Sequence, residues 1–159
     1  MVPPHAPTPT TCISRARCTC IGMRSSCRTA PRSWRRPFDE RDPYHRLVSP
    51  DFGVYLDERW QPPWPHVRLD WPDFGVPQDR GPVLEGLRRA LDLARDGRRV
   101  EIGCWGAHGR TGTALATLAV LTGLPRDDAV SWVRATYCTR AVETAEQEAF
   151  VATLDAPAV

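Results

Sequence analysis

The chain has 159 residues, 42% of them hydrophobic, and a formal net charge of +2, which is enough length and apolar content for one domain with a core of its own. The charge is uneven: residues 1–37 carry seven Arg and no acid, while residues 38–159 carry fourteen Arg against nineteen acids, so a +7 segment precedes a −5 body. No run of the chain is apolar enough to span a membrane, and neither a membrane nor a nucleic acid is expected as a partner.

In chain order, residues 1–37 come first. They hold six of the sixteen prolines and four of the six cysteines (Cys12, Cys18, Cys20 and Cys27) without apolar periodicity, the composition of a disordered basic tail. No apolar run there reaches seven residues, so a secretory leader is not expected. The Arg- and Ser-rich, acid-free make-up resembles an organelle transit peptide, and a tail without function or an over-extended start is the plainer reading. Paired C-x2-C spacing is missing, so no metal is assigned to these cysteines. The body, residues 38–159, keeps only Cys104 and Cys138. Two thiols make no disulfide framework, which points to a reducing compartment and hence the cytoplasm.

Within the body, residues 52–56 (FGVYL) and 66–71 (HVRLDW) are predicted strands, separated by the turn-prone Gln61-Pro62-Pro63-Trp64-Pro65. From Arg80 to Asp96 the apolar residues Val83, Leu87, Ala90, Leu91 and Ala94 recur at helical spacing, and Gly97 ends the pattern. Residues 98–104 (RRVEIGC) read as a strand. Residues 111–122 are apolar almost all round, as a buried helix would be, and stop at Gly123. A further helix is expected after Pro125, with Trp132 and Val133 facing inward. A last one is expected from Thr144, where Thr144-Ala145-Glu146-Gln147 is a capping box. Strands alternating with helices predict an α/β domain, a small mainly parallel sheet flanked by helices.

Chemistry concentrates in Gly103-Cys104-Trp105-Gly106-Ala107-His108-Gly109-Arg110-Thr111-Gly112. A second Cys-x5-Arg stretch, Cys18 to Arg24, has one glycine and no strand before it. The stretch at Cys104 instead joins a predicted strand to a predicted helix. Such a loop aims backbone N–H groups and the helix dipole at one point, which makes an anion site. Gly106 and Gly109 are expected to let the backbone turn tightly. Arg110 offers a planar fork for two phosphate oxygens. Cys104 lies in the same positive field, which favours a thiolate nucleophile, and Thr111 offers it a hydroxyl. A nucleophile of this kind needs an acid for the leaving oxygen. Asp73, in Asp70-Trp71-Pro72-Asp73-Phe74-Gly75-Val76-Pro77, is the candidate, with Gly75 as hinge. The residue types alone leave other readings open. Cys104 can be a buried strand-end thiol, Asp73 a turn residue, Gln147 half of a capping box, and His108 a solvent-facing loop residue or a weak phosphate contact. Trp71 reads as packing and hinge, Cys138 as structural.

The pair Trp-Pro-Asp-Phe-Gly and Cys-Trp-Gly-Ala-His-Gly-Arg-Thr-Gly, in this order across roughly residues 50–155, resembles the cysteine-dependent protein tyrosine phosphatase family, nearest its small dual-specificity-like bacterial members. The resemblance implies that Cys104 forms a phosphocysteine, that Arg110 and the loop Trp105, Gly106, Ala107, His108 and Gly109 bind the phosphoryl group, and that Thr111 assists the thiolate. It further implies that Asp73 is the general acid and that Gln147 orients the hydrolytic water. No cofactor or metal is implied. The substrate would be a phosphorylated protein or small phosphate ester, phosphotyrosine first and phosphoserine or phosphothreonine next. Inositol phosphates are disfavoured by the absence of lysines in the loop. The chain departs from the family at Gly103, where a His is usual, and at Ala107, where a glycine is usual. A catalytically weak phosphate-binding module is the alternative, and a sulfurtransferase or arsenate reductase a third. Oligomeric state is not assigned.

Overall fold

The computed structural model describes residues 35–155. The tail reading of residues 1–34, with its four cysteines and the second Cys-x5-Arg stretch, lies outside the described residues. Four strands and four helices follow in the order β1 (Arg35–Pro37), β2 (Phe52–Tyr55), β3 (His66–Arg68), α1 (Arg80–Arg95), β4 (Val100–Cys104), α2 (Gly109–Leu121), α3 (Arg126–Thr136) and α4 (Ala145–Ala152). One sheet, in the order β1-β4-β2-β3, holds all the strands, and every pairing is parallel. This is the expected α/β architecture. Strand β1 was not expected, because Arg-Arg-Pro has no apolar alternation and falls inside the segment assigned to the tail. It is an edge strand, where a proline is tolerated, and it pairs Arg35 to Pro37 with Ile102 to Cys104. The described residues therefore include three, 35–37, that were assigned to the tail.

Side-chain alternation along β2 and β4 splits the interior in two. Phe52 and Val54 of β2 join Val100, Ile102 and Cys104 of β4 in the main core, with Val83, Leu87, Ala90 and Leu91 of α1 and the apolar residues of α2. Helix α1 is capped by Asp79, whose carboxylate accepts from the Gly81 N–H, and ends at Gly97, with φ 81°. Helix α2 buries every residue but Leu121, so its two threonines in the second turn and beyond must find partners inside. Thr113 and Thr117 donate to the carbonyls of Gly109 and Thr113, both at 2.8 Å. On α3, Ala129 and Val133 are buried; Trp132, expected to face inward, is only half-buried. Among the described residues no helix is long and apolar enough to cross a membrane.

Among the described residues no helix covers the other face of the sheet. Loop residues Phe38, Tyr44, Trp60 and Trp64 pack there around Tyr55, with Trp60 stacked on Tyr55 at 4.5 Å between ring centres. Glu101 emerges on this side and is almost fully buried. Arg46 grips it with two bonds, Nε to Oε2 at 2.9 Å and Nη2 to Oε1 at 2.8 Å, and the Tyr55 hydroxyl donates to Oε1 at 3.0 Å. Burial, with the adjacent Glu101 charge, pushes the Tyr55 hydroxyl well above its ordinary pKa, so it stays a donor. Glu101→Ala would strand a buried guanidinium and a buried hydroxyl, and is expected to destabilise the fold by about 3–5 kcal/mol. A denaturant titration checks this; a loss near zero would show that the network contributes nothing beyond packing.

Candidate active site

Strand β4 delivers Cys104 to its C-terminal end, and α2 starts five residues later at Gly109, so Arg110 and Thr111 occupy its first turn. The helix begins two residues earlier than the apolar pattern suggested. Thr111 is fully buried, and its hydroxyl donates to Cys104 Sγ at 3.0 Å. The amides of Trp105, Gly106 and Ala107 donate to no protein acceptor among the described residues, which leaves them for an anion.

The glycines serve differently from what the sequence suggested. The left-handed residue of the loop is Ala107, at φ 56°, where an L side chain costs on the order of 1 kcal/mol. The Tyr137 hydroxyl donates to the Ala107 carbonyl and holds that turn. Gly106 is not crowded: an added Cβ would meet only His108 Cδ2, at 3.6 Å. Gly109 gives clearance: a Cβ there would displace the Glu143 carboxylate, the end of an exposed side chain, and press on both amide atoms of the buried Gln147 at 3.2 Å. Gly112 is required for the same reason, with Ala141 Cβ at 2.8 Å and the Val142 nitrogen at 2.9 Å. His108 turns away to the α3–α4 connection, where Arg140 donates to Nε2 at 2.7 Å and Cys138 Sγ lies 3.2 Å from Nδ1.

Arg110 is buried and fully engaged at its terminal nitrogens. Nη1 donates to the carbonyls of Leu56 (2.8 Å) and Trp71 (3.1 Å), and Nη2 reaches Asp57 Oδ2 at 2.8 Å and Asp73 Oδ1 at 3.0 Å. Asp57 escaped the sequence reading. It lies two residues past the end of β2, is 5% exposed, and accepts from Arg110 and from Arg59, whose Nη1 lies 2.9 and 3.0 Å from its two oxygens. Burial works to raise its pKa, but the Arg59 N–H and the two guanidinium groups outweigh that and hold the carboxyl below its ordinary value.

The loop bearing Asp73 lies closed over this grip. Trp71, buried against Phe150, donates from Nε1 to the Gly75 carbonyl at 2.9 Å. From α4, Thr144 donates to the Phe74 carbonyl at 3.1 Å, and Gln147 Nε2 to that of Gly75 at 3.2 Å. The capping box forms in half: Thr144 accepts from the Gln147 N–H, but Gln147 Oε1 accepts from the Glu143 N–H, one residue short of the cap. Gln147 thus ties α4 to the loop bearing Asp73 while lying against Gly109. Cys104, Thr111, Arg110, Asp73 and Gln147 meet around one end of the sheet, beside a cleft of about 570 Å³ bounded by Asp57, Arg59, Arg68, Trp71, Asp73 and Arg110.

No protein-family model matches the chain. It is 31% identical over 153 residues to an uncharacterized protein of Methanocaldococcus jannaschii (88% of this chain, 89% of that one) and 40% identical over 107 residues to a second uncharacterized protein of that organism (62% and 71%). Among solved structures it is similar to Tk-PTP in its active form, with 31% identity and a TM-score of 0.55 over 64% of this chain and 75% of that one. These curated relatives are archaeal, whereas the sequence resemblance was placed nearest bacterial members. With the sheet, the loops and this relative in agreement, the chain belongs to the cysteine-dependent protein tyrosine phosphatase family.

Proposed function

We propose that the chain hydrolyses phosphate monoesters, phosphotyrosine first and phosphoserine or phosphothreonine next, through a phosphocysteine on Cys104. The observation that carries this is the 3.0 Å contact between Arg110 and Asp73, which joins two motifs 37 residues apart in the chain into one constellation. In the first step Cys104 Sγ attacks phosphorus, the bond to the ester oxygen breaks, and protonated Asp73 gives its proton to that oxygen. Arg110 and the amides of residues 105–107 hold the equatorial oxygens as charge shifts. For this, Asp73 must leave Arg110 to the phosphate, a small step for a side chain that is 60% exposed. In the second step water attacks phosphorus and gives a proton to the Asp73 carboxylate, while the electron pair of the S–P bond returns to Cys104 Sγ, to which the Thr111 hydroxyl donates. Gln147 holds the acid loop over the phosphocysteine and keeps its amide at Gly109, which supports its part in orienting that water.

Phosphotyrosine leads because the rim is aromatic. Phe74, beside Asp73, is 61% exposed, and Trp105, beside Cys104, is 39% exposed. We infer that Phe74 meets the flat leaving group, while the Trp105 ring is packed against Phe38 and the Arg59 guanidinium. We assign the activity to the body from β1 onward. The protein is expected to hydrolyse an aryl phosphate, to be inhibited by vanadate and to be indifferent to a metal chelator. Phosphate binding without turnover would instead favour the binding-module reading.

A further inference from the structure

The buried carboxylate of Asp57 is shared by two arginines, and only one of them belongs to the Cys-x5-Arg loop. Arg110 alone would carry two carboxylates, Asp57 at 2.8 Å and Asp73 at 3.0 Å. While Asp73 is ionised, those three groups sum to a net negative charge at the spot where a phosphate dianion must dock. Glu58 and Asp70 line the cleft on which Asp57, Asp73 and Arg110 border and add to the negative charge there. Arg59 offsets this. Its Nη1 straddles both Asp57 oxygens at 2.9 and 3.0 Å, and its backbone N–H donates to Oδ1 at 3.1 Å. The same guanidinium lies 4.0 Å over the ring of Trp105, the residue after the nucleophile. Trp105 is in turn stacked on Phe38. One side chain therefore touches both arms of the loop, the first directly and the second through Asp57.

We propose that Arg59 is a positioning residue for phosphate capture: it neutralises Asp57 so that the charge of Arg110 remains available to the substrate, and it holds Trp105 against the loop. This rests on the phosphatase reading above. When phosphate draws Arg110 toward itself, Asp57 keeps Arg59 as its partner and is not left as a lone buried carboxylate, a costly state. The contribution is to binding, and it is equal in the ground and transition states. Loss of Arg59 should therefore raise KM and leave kcat nearly unchanged.

The test measures KM and kcat on an aryl phosphate, and the inhibition constant of inorganic phosphate, for wild type, Arg59→Met and Arg59→Lys. Arg59→Met is expected to raise both KM and the phosphate constant by about five- to tenfold, given that the pair is partly exposed, with kcat within about twofold. Lysine restores the charge and should recover most of the affinity, which a purely steric role would not allow. Should Arg59→Met fail to fold in a thermal melt, Arg59→Gln makes the same charge change while giving Asp57 an amide donor. Unchanged phosphate affinity in the methionine or glutamine variant, equal losses in the lysine and neutral variants, or a fall confined to kcat would each overturn the proposal. A wild-type protein that neither binds phosphate nor cleaves the ester removes the phosphatase reading, and this inference with it.

Discussion

Cys104→Ser is expected to cut turnover of an aryl phosphate by about 10⁴–10⁶-fold, the scale seen when a covalent nucleophile is removed, while phosphate binding is largely kept. The two effects separate because the structure separates their causes. Attack needs an ionised sulfur, and the group that would meet a serine hydroxyl there, the Thr111 hydroxyl, is a donor and not a base. Binding draws on Arg110 and the amides of residues 105–107, which the substitution leaves in place. Steady-state turnover and calorimetric titration with phosphate read the two quantities apart. A serine variant with near-wild-type turnover would remove Cys104 from the nucleophilic role.

The second large effect depends on the substrate. Asp73→Ala should lower turnover of phosphotyrosine by about 10²–10⁴-fold, since a phenolate leaving group with a conjugate-acid pKa near 10 needs a proton. An activated aryl phosphate, whose leaving group is far less basic, should lose much less. The variant also frees one Arg110 donor from its carboxylate, so phosphate should bind it at least as well as it binds wild type. Lost turnover combined with undiminished affinity is a pairing that misfolding cannot mimic. Rates on three aryl phosphates of graded leaving-group acidity measure the gradient. Equal losses on all three would return Asp73 to turn chemistry.

What could be read in the sequence was whatever local order decides. A strand ending at Cys104, a glycine-bearing loop and an apolar helix follow one another in the chain, so neighbouring residues alone define the anion loop. The acid loop announces itself in the same way, through Trp71-Pro72-Asp73. What stayed hidden depends on distant partners. Asp57 looks like any acid after a strand until Arg110, 53 residues on, is brought to it. Glu101 breaks the apolar pattern of β4 and gains its partner, Arg46, from a loop 55 residues earlier. Strand β1 has no apolar signal because its edge position asks for none. The glycines show a subtler limit. Their presence was legible and their reason was not: Gly109 and Gly112 clear side chains and backbone of the 141–147 segment, and the left-handed turn fell to Ala107. Gln147 was found as a cap and as a candidate site residue, but its grip on Gly75, 72 residues away, exists only in the folded chain.

The proposed roles converge on a covalent bond between phosphorus and one sulfur. The most direct measurement mixes the protein with an aryl phosphate labelled in its phosphoryl group, quenches with acid within the first turnovers, and maps the label by peptide mass spectrometry. The account predicts a phosphorylated peptide carrying Cys104, absent in Cys104→Ser and accumulating when the water-attack step is slowed. An active protein that yields no labelled peptide, or one labelled at another residue, would contradict it.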